Sequence, residues 1–98
     1  MCVFAGYSQD TLPRITVTQL GNKALISWTN LYTNVTGITI QRSGDSIRNF
    51  TSIGTVLNVG AVTNGFVDQK EFLPNEQYYR LFITFEGGEG AGKSTQAP

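Results

Sequence analysis

The sequence predicts an all-β domain, a sandwich or a barrel, on three observations. Apolar residues fall in short alternating runs rich in Ile, Val, Thr, Phe and Tyr. Gly, Asn, Asp and Pro cut these runs at intervals of about 8–12 residues, the spacing of antiparallel sandwiches and barrels. No stretch carries a helical period of useful length.

The first run is Pro13 to Gln19, with Ile15 and Val17 on one face and Arg14, Thr16 and Thr18 on the other. Pro13 suits the first position of an edge strand, because it lacks the N–H a ladder needs. After the turn Leu20 to Lys23 comes Ala24 to Trp28, where Ala24, Ile26 and Trp28 share a face. Val35 to Arg42 follows with Ile38 and Ile40 inward, and Ser43 to Ser46 is a turn cluster. Phe50 to Leu57 reads as a less regular strand around Ile53. Asn64-Gly65 sits between apolar neighbours and predicts a tight hairpin turn, since both residues accept φ > 0. Phe66 to Asp68 is then a short strand. Leu73-Pro74-Asn75 marks a crossing before the longest strand, Gln77 to Glu86, in which Tyr79, Leu81, Ile83 and Phe85 alternate with Tyr78, Arg80, Phe82 and Thr84. Both faces of that strand are partly apolar, which suits a central position. Gly87 to Gly92 is expected to turn the chain into a short polar last strand. This gives seven strands in a single domain over residues 1–98, with residues 1–11 as an N-terminal tail.

Composition narrows the function. Seven Lys+Arg balance seven Asp+Glu among 98 residues, so no basic patch for nucleic acid or an anionic membrane is expected. Charged residues make up 14% of the chain and Thr supplies twelve positions, which predicts a neutral Thr/Asn-rich surface. With no histidine and one cysteine, Cys2, the chain lacks a His-based triad, an imidazole metal ligand and an internal disulfide. No apolar run approaches the roughly 18 residues of a membrane span. The opening MCVFAGYS lacks the basic start and long apolar stretch of a signal peptide. These features point away from an enzyme, and no catalytic residue, cofactor or metal is expected.

ALISW (Ala24 to Trp28), GITIQRS (Gly37 to Ser43) and above all GFVDQKEFLPNEQYYRLFI (Gly65 to Ile83) resemble the bacterial form of the fibronectin type III family. There an aromatic residue and Asp precede a Leu-Pro corner and then YYRL or YYRV. The resemblance covers most of the chain and implies a seven-stranded immunoglobulin-like β-sandwich whose Trp28 packs across two sheets. It departs at the corner: the family's hydroxyl falls on Tyr79, counting six from Leu73, or is replaced at Gln77. The family's Arg-Gly-Asp is absent, since RSGD at Arg42 to Asp45 does not match it. The resemblance implies a structural spacer or interaction module of a larger bacterial protein, extracellular, on the cell surface or in the periplasm. Its partners are then neighbouring domains, or protein or glycan bound by loops at one end, and a monomer is expected. Asn34-Val35-Thr36 and Asn49-Phe50-Thr51 fit the glycosylation pattern, but a triplet this short recurs by chance.

A second resemblance points elsewhere. Gly87 to Ser94, GGEGAGKS, fits G-x-x-x-x-G-K-[ST], and Phe82 to Gln96 is similar to the opening of thymidylate kinases. It implies phosphate or nucleotide binding by Gly87, Gly92, Lys93 and Ser94, with Lys93 on the β/γ-phosphates and Ser94 on Mg²⁺. The physics opposes this. A P-loop opens a helix whose N-terminal amides hold the anion, and only Thr95 to Pro98 follow here. The expected role is a turn.

Overall fold

The computed structural model describes residues 14–29, 34–56 and 63–98. Its elements are all strands: β1 (Ile15–Leu20), β2 (Lys23–Thr29), β3 (Val35–Ser43), β4 (Thr51–Thr55), β5 (Thr63–Asp68), β6 (Tyr78–Phe85), β7 (Gly88–Ala91) and β8 (Thr95–Gln96). Pro13, the tail at 1–11 and Leu57 lie outside the described residues.

Two antiparallel sheets form. One has the order β1-β2-β5; the other is β4-β3-β6-β7, with β8 also pairing β6. Alternation sets the inward faces. Ile15 and Val17 of β1, Ala24, Ile26 and Trp28 of β2, Ile38 and Ile40 of β3, and Tyr79, Leu81, Ile83 and Phe85 of β6 form one buried cluster with Phe72 and Ala97. Burial of these side chains between the sheets is the main stabilising term.

The turns follow local chemistry. β1 and β2 are joined by Gly21-Asn22, and Gly21 has φ 64°, the positive first position of a type II′ hairpin turn. At Leu73-Pro74-Asn75-Glu76 the Glu76 N–H donates to the Leu73 carbonyl at 3.1 Å, and Asn75 has φ 64°. Proline followed by a positive-φ Asn is the type II pattern.

Three expectations are corrected. Asn64-Gly65 is not a hairpin turn: both residues lie inside β5, paired with Trp28 and Ser27 of β2, and neither has a positive φ. The partner that captures them is a distant strand, and its ladder outcompetes the local turn preference. Gly87 to Gly92 is not one long turn either. Glu86-Gly87 alone reverses the chain, and Gly88–Ala91 pairs with β6 from Phe85↔Gly88 to Phe82↔Ala91. The last strand breaks at 92–94 and resumes as β8, which pairs Tyr78 and Tyr79, so the described residues hold eight strands where seven are expected. Finally, β4 is shorter than Phe50 to Leu57, beginning at Thr51. Phe50 instead lies under Arg80, whose guanidinium carbon is 4.1 Å from the ring centroid.

Candidate functional site

The phosphate-loop candidates occupy an edge strand and its break. Gly87 is exposed in the β6–β7 turn. The Gly92 amide is already engaged, donating to the Leu81 carbonyl at 2.8 Å. Lys93 is exposed and makes no contact with any acceptor among the described residues, and the Ser94 hydroxyl donates to the Ser46 carbonyl at 2.6 Å. A phosphate cradle needs successive N–H groups converging on one point. In an extended strand successive amides point to opposite sides, so the amides of Gly88–Ala91 diverge.

The buried polar groups gather elsewhere, where the end of β5 meets β3 and β6. Asp68 is 3% exposed and closes β5 on the first sheet; Arg42 and Tyr79 stand on neighbouring strands of the second. One terminal nitrogen of Arg42 donates to both Asp68 oxygens at 2.7 Å. The Tyr79 hydroxyl donates to Oδ2 at 2.6 Å, and the Lys70 amide to Oδ1 at 3.1 Å. Four bonds occupy the roughly four acceptor positions of a carboxylate.

The electrostatics follow from this geometry. Burial alone would raise the Asp68 carboxyl, but the hydrogen bonds from Tyr79, Arg42 and the Lys70 amide outweigh it and hold Asp68 below its usual value. Burial pushes the Tyr79 phenol well above its ordinary value, and the adjacent Asp68 charge adds to the rise. Tyr79 therefore stays a neutral donor, and Asp68 stays an ionised acceptor, across the neutral range.

The corner resolves in favour of Gln77. Its side chain is buried, accepts from the Leu73 amide at 3.0 Å and donates to the Glu71 carbonyl at 3.1 Å. An amide can donate and accept at once, so it ties both backbone groups of the bend. Tyr79 is released for Asp68. The family resemblance marks Asp68 but assigns it no partner, and the sequence pattern places Arg42 only at the end of a strand.

Trp28 is buried with its Nε1 lacking an acceptor among the described residues, so it contributes apolar area rather than a polar link. Tyr78, on the opposite face of β6 from Tyr79, is partly exposed. Among the described residues no group of three or more His, Cys, Asp or Glu could hold a metal ion, and no helix is long and apolar enough to cross a membrane.

No known protein family and no curated protein matches the chain. A solved structure described as a myokine structure is similar over 89% of this chain and 96% of its own, with a TM-score of 0.57 and 20% identity. Identity at that level carries the fold and nothing finer. The two sheets, their strand order and this likeness together make the chain a fibronectin type III-like β-sandwich.

Proposed function

We propose that the domain is a non-catalytic structural spacer or interaction module of a larger bacterial secreted or cell-surface protein. The observation that carries this reading is the saturation of its buried carboxylate. Asp68 is the buried carboxylate among the described residues, and its acceptor positions are filled by Arg42, Tyr79 and the Lys70 amide. A general base needs a free lone pair within reach of a substrate proton. Asp68 instead joins a strand of one sheet to two strands of the other, which is work suited to a domain that must hold its shape between neighbours. Glycines in the β7 edge strand serve pairing, and the fold itself hosts many roles without implying catalysis.

The test has two readouts on the 98-residue chain. Urea unfolding should be a single cooperative transition, coincident by tryptophan fluorescence and far-UV circular dichroism. Incubation with Mg·ATP should release no phosphate above the buffer rate. Failure to fold alone, or turnover that Lys93→Ala removes, would overturn the proposal.

A further inference from the structure

The second sheet carries a cleft of about 270 Å³ lined by Ser46, Ile47, Arg80, Gly92, Lys93 and Ser94. It lies between the loop after β3 and the break between β7 and β8. Both walls are fixed by their own bonds. The Ser43 hydroxyl donates to the Arg48 carbonyl at 2.6 Å, and the Ile47 amide donates to Asp45 at 2.9 Å. The Ser94 hydroxyl, donating to the Ser46 carbonyl at 2.6 Å, ties the loop to the strand break.

Arg80 enters this cleft in an unusual state. Its Nε donates to the Gln41 side-chain carbonyl at 2.7 Å, and its guanidinium lies over the Phe50 ring at 4.1 Å. These two contacts fix the plane of the group. Yet no carboxylate lies within ion-pairing distance, and its two terminal nitrogens donate to no acceptor among the described residues. Lys93, on the same cleft, is also without an acceptor. The loop's own carboxylate, Asp45, is committed to the Ile47 amide and lies 4.0 Å from Arg48. Two cations thus line one cleft, and no carboxylate is among the described residues that line it. Beside them Ile47 is 71% exposed, the most exposed large apolar side chain among the described residues.

We propose that this cleft binds an acidic peptide segment of a partner protein, with one carboxylate held by the open fork of Arg80 and an adjacent apolar side chain resting on Ile47. This rests on, and sharpens, the interaction-module half of the proposed function. A guanidinium fork matches a planar carboxylate oxygen for oxygen, and pre-orientation by stacking lowers the entropy lost on binding. Lys93 adds charge as a mobile second donor.

The test is a ¹⁵N NMR titration of the 98-residue chain with three probes: a blocked peptide centred on Glu-Leu-Glu, its Gln-Leu-Gln counterpart, and inorganic phosphate. The Glu peptide should give saturable shifts at the Arg80 Nε–H and the amides of Ser46, Ile47, Lys93 and Ser94, weakening as salt rises from about 0.05 to about 0.5 M. Arg80→Lys keeps the charge but loses the fork, and should lower affinity about tenfold. Lys93→Gln should lower it about threefold. Lys93 is exposed, so that variant reports even where Arg80→Lys disturbs folding. Absence of shifts with the Glu peptide, an equal response to the Gln peptide or to phosphate, or full affinity in Lys93→Gln would each overturn the proposal. Loss of binding with the cooperative urea transition intact and no nucleotide turnover removes only this inference; the module reading falls on those two other measurements.

Discussion

Tyr79→Phe isolates the polar link between the sheets, because it deletes one hydroxyl and leaves the buried ring in place. Tyr79 is fully buried, so the substitution opens no sizeable cavity and the change in stability reports the hydrogen bond. That bond is 2.6 Å long and ends on an ionised carboxylate. Hydrogen bonds to charged groups contribute about 1.5–3 kcal/mol, and the Asp68 oxygen that loses Tyr79 keeps Arg42. We therefore expect a loss of about 2 kcal/mol, against a total of about 5–15 kcal/mol for a domain of this length. With a urea m-value of about 1 kcal/mol/M, the midpoint at pH 7 should fall by about 2 M. The acid limb gives an independent check. Asp68 is depressed in the folded state, so its stabilisation is present above the unfolded value of 3.8 and disappears as pH falls through the lower folded value. The gap between parent and variant should therefore narrow in that window. Tyr79 is raised, so its contribution is complete below the ordinary phenol value of 10.0 and declines as pH climbs above it. Tyr79→Phe should lack that alkaline slope. A midpoint within about 0.3 M of the parent at pH 7, or a gap unchanged at strongly acid pH, would refute the reasoning.

Trp28→Ala should cost about 3–5 kcal/mol through lost burial and a cavity, read as a large drop in thermal midpoint; an unchanged midpoint would place Trp28 outside the core. Gly54→Ala should destabilise by about 1–3 kcal/mol, because a Cβ there runs into Cε1 and Cζ of the Phe66 ring on the facing sheet, and Phe66→Leu should restore part of the loss in a double-mutant cycle. Gly65→Val should be neutral or slightly stabilising: its φ is not positive, and an added Cβ meets the Ile26 carbonyl and Leu25 only at an ordinary 3.5 Å. Lys93→Ala should change the urea-derived stability by no more than about 0.5 kcal/mol, as for an exposed side chain.

The strands that read most clearly from sequence are those whose inward face is strictly apolar. In β2 and β6 alternation alone separates the buried Ala24, Ile26 and Trp28, or Tyr79, Leu81, Ile83 and Phe85, from neighbours that are half-buried or, at Thr29, exposed. Where the outcome depends on a distant partner, local reading fails. Asn64-Gly65 has the residues of a tight turn, but the ladder with β2, running from Ala24↔Asp68 to Thr29↔Thr63, holds both residues extended and carries Phe66 over Gly54. Likewise Gly88–Ala91 holds four residues of low strand propensity, and the open edge of β6 supplies the ladder that extends them. The Arg42–Asp68–Tyr79 link was illegible for a different reason. Its members come from three strands, and no spacing along the chain marks which cation and which hydroxyl will face a lone aspartate. Gln77 was half legible: the missing hydroxyl at the corner flagged the position, while the side-chain amide's double role emerged only from the geometry of the bend.

A phosphate-loop-like sequence forms an edge strand of the second sheet here. The most direct test is a ¹⁵N-edited NOE spectrum of the 98-residue chain recorded with saturating Mg·ATP. Cross-strand contacts between Ile83 and Gly90 and between Phe85 and Gly88 should persist, with the amides of residues 87–91 unmoved. Loss of those contacts, together with saturable shifts running through the consecutive amides from Gly87 to Gly92, would contradict it.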